Sequence, residues 1–577
     1  MLNHEPHETH ERSRGVGAVV ACAGWAACLI FAAATGGQTG QSLLVGVFNI
    51  RQYGAVGDGE ASDTAAINKA VEACAAAGGG QVLFPPGKYL SGTIHLKSHV
   101  TLFLDAGARV AGTPRLDEYQ QPTVPAFMPE ARWGRWHRAL IVGEGIQDVT
   151  IAGQGVIDGN RVFDPNGEER MRGPHTLVLA GCRQVVIRDV SIADSANYAV
   201  FIQASDQVEI RNVKITGGWD GVHFRGAPGH PCRDVSIVGC QFYTGDDAIA
   251  GRYWENTLIS GCVLNSSCNA VRLIGPARHL IVQDCLIYGP GVYPQRASKR
   301  TDALAGLNLQ PGAWDATQGD LDDVLISDVT MHNVSTPFHF SLKPGNTAGT
   351  IRVNRVTASG VYLAAASVES WAQRPFANVV FRDVTIEYQG GGTRDQAAAT
   401  VKSPGVDARP LPAWGFYARN VQNLVLDDVR LRTANEDPRC VLMCDGVEQL
   451  TLEDLRTSPA SDACDLFRLN DVACVKLRGT DLPIVEPLCT ALRWTAQDSA
   501  VRVAAGKPCS VSVTLENGER AGLGRIDLAL AGLKTTRWVW LRPNEKKDVL
   551  FKGLTAPAAG THEARCGDYV QALEVEP

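Results

Sequence analysis

The sequence predicts an all-β protein: a right-handed parallel β-helix solenoid with an N-terminal capping helix and a small C-terminal β-sandwich. Two observations carry that expectation. Glycine is abundant, at 59 of 577 residues, while aromatic residues make up 7% and charged ones 20%, a balance that suits many short strands and tight turns better than packed helices. Eight segments then align by their apolar residues: VEIRNVKITGG, VSIVGCQFYTG, TLISGCVLNSS, LIVQDCLIYGP, VLISDVTMHNV, IRVNRVTASGV, VVFRDVTIEYQ and LVLDDVRLRTA. Each reads as two short alternating strands around a bend at Asn, Gly or Asp, and a period of roughly 20 to 30 residues is that of a solenoid. Such coils stack as parallel strands about 4.8 Å apart and bury ladders of like residues. Leucine-rich repeats would need leucines and asparagines at fixed offsets, and propeller blades would be longer and antiparallel.

In chain order, Arg12 and Arg14 precede the apolar run VGAVVACAGWAACLIFAAA, which ends near Ala32, Ala33 and Ala34. Residues 1–40 therefore read as a signal peptide or, because the run is long and its leader acidic, an uncleaved membrane anchor. Export follows from either reading, and membrane contact only from the second. The nearby His4, His7 and His10 read as part of a disordered leader rather than a metal site. Residues 46–490 form the expected catalytic solenoid. Within them Asp63 is positioned to N-cap a helix from about Thr64 to Ala77, whose apolar face would cover the open end of the coil stack. From residue 491 the repeat stops, and SVSVTLENGERAGLGRIDLALAGL followed by RWVWLRPNEKKDVLF reads as antiparallel strands of a sandwich over 491–577. Sixteen cysteines in an exported chain suggest bridges, and Cys509 with Cys566 is a candidate pair. Cys240, Cys262 and Cys285, however, stand where neighbouring repeats carry valine and are expected as reduced core residues. The net charge of -7 and a pI near 6.0 give no reason to expect a nucleic-acid partner.

Chemistry concentrates in YTGDDAIAGRYW. Aligned by strand residues with GGWDGVHFRG before it and SSCNAVRLIG after it, this stretch puts Asp220, Asp247 and Asn269 in one column, with Asp246 alongside. Columns in consecutive coils lie about 5 Å apart, and carboxylates that close raise one another's pKa, as an acid and a base acting on one bond require. Three acids are also a candidate set of oxygen ligands for calcium.

The stretch GAVGDG, the D-T-A-A-I helix and the GGGQVLFPPGKY turn together resemble the N-terminal signature of the pectate lyase superfamily. The acid-bearing coils resemble the polygalacturonases of glycoside hydrolase family 28, with strand motifs N-T-D, G-D-D, G-H-G and R-I-K; the likeness runs over roughly residues 48–480. It implies that Asp246 is the general acid and that Asp220 and Asp247 activate water in an inverting hydrolysis of a polysaccharide or oligosaccharide, with no cofactor. Two motifs depart. Cys268, Asn269 and Ala270 stand where the family has G-H-G, and Asn308, Leu309 and Gln310 where it has R-I-K. The loss of two cations argues for a neutral sugar rather than simple polygalacturonan. His223, Arg225, Arg252, Asn269, Arg272, Asn308, Gln310 and Lys343, with Glu369 and Trp371 farther along, are the candidate substrate-binding strip. The rivals are a β-helix polysaccharide lyase, with an arginine base and Ca²⁺ on the acids, and a noncatalytic glycan-binding protein.

Overall fold

The computed structural model describes residues 46–577 except 124, 129–137, 459–464 and 496–502. The predicted signal or anchor segment lies outside the described residues. Among those residues no helix is long and apolar enough to cross a membrane.

The body is a right-handed parallel β-helix, and its coils stack in the register that the sequence alignment gives. The first residues of the eight aligned segments fall on one ladder: Val208 pairs with Val235, then Thr257, Leu280, Val324, Ile351, Val379 and Leu424. Two residues on, a parallel ladder of Ile210, Ile237, Ile259, Val282, Ile326, Val353, Phe381 and Leu426 fills the interior. Like side chains stacked at the strand spacing leave few voids, which is why a β-helix needs no large aromatic core.

Each coil bends where the repeats carry Asn, Gly or Asp. Asp189, Asn212, Gly239, Gly261, Asp284, Asp328, Asp383, Asp428 and Asp454 all hold positive φ at equivalent bends, the left-handed conformation these residues tolerate best. Arg355 occupies the same position with φ 50°, and its guanidinium makes two hydrogen bonds to the Asp328 carboxylate one coil back, at 2.7 and 2.6 Å.

The N-terminal end is covered by the helix Thr64–Ala76, which buries Ile67, Ala70, Val71 and Cys74. The predicted cap differs in detail. The Asp63 side chain makes no bond to the helix; its carboxylate accepts from the backbone N–H of Val56 at 2.6 Å and of Gly57 at 3.2 Å. It thus pins the GAVGDG loop against the helix start, because two loop amides reach a buried carboxylate before the helix's own do.

At the other end, Leu488–Thr495, Pro508–Glu516 and Lys546–Thr555 form one antiparallel layer. Gly522–Leu530, Leu533–Leu541, Gly560–Cys566 and Tyr569–Val575 form the facing layer. A core of its own lies between them, including Leu492, Val511, Val513, Leu528 and Phe551. Trp540 of the sandwich packs edge-on against Phe467 in the last coil, so the C-terminal end of the solenoid is covered as well.

All described cysteines are free thiols. The candidate pair Cys509 and Cys566 does not meet. A register irregularity between Cys509 and Val511 turns Cys509 into a small cluster with Val503, Ala556 and Val575, while Cys566 shares the main sandwich core with Cys489. Cys240, Cys262 and Cys285 lie in successive coils, buried, each placing its sulfur near a backbone carbonyl. Replacing any one of them by valine is expected to cost less than about 1.5 kcal/mol, which chemical denaturation of the three single variants checks; a larger loss would show that the thiols do more than fill volume.

Candidate active site

Two consecutive coils carry the acids, and the next carries Asn269. The strands Val222–Arg225, Ile249–Arg252 and Asn269–Leu273 pair in parallel, Val222 with Ile249 and Ile249 with Val271. The backbone N–H groups of Gly221 and Ala248 donate to the carbonyls of Asp247 and Asn269. Asp220, Asp247 and Asn269 therefore stand in the predicted column, at the point where each coil turns into this sheet. Asp246 lies beside them, its backbone carbonyl accepting from the hydroxyls of Thr244 and Ser266, each at 2.8 Å.

The three acids have different partners. Asp247 accepts from the backbone N–H and side-chain amide of Asn269, at 3.0 and 2.8 Å, and faces Arg272 Nε at 3.3 Å. Asp220 is bonded to His223 Nδ1 at 2.7 Å, and that imidazole is stacked parallel on the Tyr198 ring, 4.3 Å away. Burial first, then Asp246 and Asp247, hold Asp220 well above the usual carboxylate range, while burial and the surrounding arginines hold His223 well below its ordinary value. His223 Nε2 is buried without a protein partner. Asp246 is raised by burial and by Asp247, against the pull of Arg172 at 3.5 Å and Arg300 at 3.9 Å.

These groups line one pocket of about 270 Å³ together with Glu168, Glu169, Arg225, Arg252, Trp314 and Asp407. Five guanidinium groups face it: Arg172, Arg225, Arg252, Arg272 and Arg300. Arg225 and Arg252 are register partners in neighbouring coils; Arg252 is paired with Asp315 at 2.6 Å, and burial, then the charge of Arg252, lowers Arg225. Among the described residues, Asp246, Asp247 and Cys268 are the acids and thiol close enough to share a cation, with ligand atoms within 4.8 Å. A thiol is a poor calcium ligand, and Arg300 Nη2 already lies 3.0 Å from the Cys268 sulfur.

The rest of the predicted strip lies elsewhere. Asn269 is buried beneath Asp247. Asn308, Gln310, Lys343 and Glu369 lie under a segment, 399–411, that crosses the face of the solenoid. Asn308 donates to the carbonyl of Val406 at 3.2 Å, Gln310 to that of Gly405 at 3.5 Å, and Lys343 to the Ser403 hydroxyl at 2.8 Å and to the Pro404 carbonyl. Glu369, fully buried, accepts two bonds from Arg409, at 2.8 and 2.7 Å, and one from Trp371 Nε1. The two amides that stand for the family's cations are thus engaged by protein, and they carry no information about the charge of a sugar. Trp371 lines a different groove, with Arg419, Asp445 and Asn470.

Arg172, Tyr198, Trp314 and Asp407 are pocket residues that the sequence reading did not select. All but Tyr198 come from segments inserted between coils, where no repeat register exists to place them. The insertion that carries Asp407 left a trace: from Val379 to Leu424 the chain takes about two coil lengths to complete one coil.

Because Glu369 has no solvent to fall back on, Arg409→Ala is expected to destabilise the fold by about 3–5 kcal/mol. Burial raises the Glu369 carboxyl, but Arg409, His339 and Trp371 more than offset this and leave it below its ordinary value. Its contribution is therefore complete above the unfolded pKa of about 4.3 and is lost as pH falls through the lower folded value. Thermal melts of wild type and Arg409→Ala should converge at acid pH; a constant difference would assign the loss to packing instead.

The family-model matches agree with this architecture. Residues 47–113 match the family model described as rhamnogalacturonase A/epimerase, pectate lyase-like, and residues 175–298 match the right handed beta helix region model. A protein named "Probable polygalacturonase" from Vitis vinifera is 24% identical over 367 residues, covering 58% of this chain and 73% of its own. The family 28 exopolygalacturonase of Yersinia enterocolitica is similar over 75% of this chain and 78% of its own, at 15% identity and a TM-score of 0.46. PfbA, a surface adhesin of Streptococcus pneumoniae, is similar over 70% and 93%, at 16% identity and a TM-score of 0.46. With the signature turns, the intact Gly245-Asp246-Asp247 motif and the coil register, the family-model and sequence matches support a polygalacturonase-like β-helix family for this chain.

Proposed function

We propose that the protein is an exported inverting glycoside hydrolase acting on a uronate-bearing glycan. The observation that carries this reading is the pairing, in one arginine-lined pocket, of adjacent aspartates with different hydrogen-bond partners. Asp246, raised by burial and by Asp247, suits the proton donor to the leaving oxygen. Asp247, oriented by Asn269 and Arg272, and Asp220, bonded to His223, suit the acceptors that activate water. The inverting outcome comes from the family resemblance, because the Asp246 and Asp247 ligand atoms, within 4.8 Å, are closer than the roughly 6.5–9.5 Å of most inverting pairs. The five pocket arginines favour an anionic sugar. This replaces the neutral sugar expected from Asn308 and Gln310, since those amides face protein. The residue pattern gives the lyase reading less support, because Asp246 and Asp247 sit with a thiol and three arginines.

The test is a screen of defined oligosaccharides, uronate-bearing and neutral, followed by NMR of the first product formed. Hydrolysis with inverted anomeric configuration is expected. A product with retained configuration, or an unsaturated product absorbing in the ultraviolet, overturns the mechanism. Binding without turnover, unchanged when all three aspartates become asparagine, would select the glycan-binding alternative.

A further inference from the structure

Resting on that reading, we infer that the segment 399–411 is a fixed strap that turns the sugar-binding face from an open groove into a dead-end pocket, so that the protein engages only the end of a glycan chain. A β-helix by itself presents a continuous lengthwise face, on which neighbouring coils offer neighbouring subsites. Here the coils that follow the acids are covered. The strap is fastened by side chains from four successive coils: Arg272, which bonds Asp407 at 2.5 Å and the Val406 carbonyl at 3.4 Å; Asn308 and Gln310; Lys343; and Glu369, which holds Arg409. Its ends are secured too. Val401 and Leu411 pack with Ala365, Tyr417, Cys440 and Met443, and the short helix Arg394–Ala398 that precedes it carries a complete capping box and accepts a hydrogen bond from Arg468 at its Ala397 carbonyl. Fastenings this numerous, spread over four coils, describe a wall rather than a mobile lid.

The opposite side is closed by the inserted segment 159–174, whose Arg172 reaches across to Asp246 and lies 3.6 Å over the Trp219 ring. What remains between the two walls is the pocket of about 270 Å³, at the small end of ligand sites. The replacement of the family's R-I-K cations by Asn308 and Gln310 takes its meaning from this arrangement. Asn308 and Gln310 donate to the strap's carbonyls as neutral groups, beside Arg272 and Lys343, which bring charged donors to the same backbone.

Binding by calorimetry, in the Asp246→Asn background to stop turnover, tests the strap with di- and octagalacturonate and with matched neutral galactose oligomers. The strapped chain is expected to bind the dimer and octamer of whichever series it recognises within about threefold of each other. Two variants open the groove: replacement of 402–409 by a Gly-Ser linker, and the milder Asp407→Asn/Arg409→Gln, each combined with Glu369→Gln so that no carboxylate is left buried and unpaired. In either one the octamer should gain at least tenfold over the dimer. An octamer at least tenfold tighter than the dimer in the strapped chain overturns the inference, as does a folded linker variant that shows no gain. If the neutral series binds independently of length and the uronides do not bind, the strap stands and the uronate reading falls; if neither series binds, both fall.

Discussion

Asp246→Asn should lower turnover by a hundredfold or more and yet raise the melting temperature at neutral pH. The amide keeps the shape of the carboxyl and removes its transferable proton, so the loss belongs to kcat, with binding nearly intact. The stability gain follows from the sign of the shift. Burial and Asp247 raise the folded pKa of Asp246, so its contribution to stability is complete below the unfolded value of about 3.9 and is lost as pH rises through the folded value. Above that value the wild type holds a buried carboxylate against Asp247, and the asparagine variant does not. The two melting curves should therefore coincide near pH 3.5 and separate, with the variant more stable, as pH rises. A variant that keeps more than about a tenth of the activity on an unactivated glycoside removes Asp246 from the acid role, and a lower melting temperature at pH 7 would show that the pairing with Arg172 outweighs the repulsion.

The double change Arg225→Gln with Arg252→Gln should weaken binding of galacturonate-containing oligosaccharides by a hundredfold or more. Each charge-assisted hydrogen bond to a carboxylate is worth about 1.5–3 kcal/mol, and about 1.4 kcal/mol is a factor of ten. Neutral galactose oligomers should be affected far less, since glutamine still donates to hydroxyl groups. Isothermal calorimetry on both sugar series separates the outcomes. An equal loss on both would mean that the arginines shape the pocket without reading charge, and no loss on the uronides would move the carboxylate contact to Arg172, Arg272 or Arg300.

The column of Asp220, Asp247 and Asn269 was legible in the sequence because a solenoid repeats its register. Once the valines and isoleucines of neighbouring coils align, every residue between them is placed to within one strand position, and the acids follow. Asn308 and Gln310 show the limit of that logic. Their place on the outward strip was legible, but their role was not, because what covers an outward residue depends on a segment far away in the chain. Val406 and Gly405, which accept from these amides, are about a hundred residues downstream. Trp314 and Asp407 lie in such inserted segments, and Arg172 reaches the site from one on the opposite side.

The sequence by itself determined the coil, its bends, its capped N-terminal end and the carboxylate pair, because these depend on local periodicity and on stacking at a fixed strand spacing. Only the tertiary structure decided that Asp63 holds a loop instead of the helix, that Cys566 meets Cys489 rather than Cys509, and that the polar strip beyond the acids is a fastening rather than a binding surface. Those outcomes depend on which donors and acceptors come within hydrogen-bonding distance after long insertions fold back. A repeat fixes the path of the backbone through each coil, but it places no constraint on where an insertion returns.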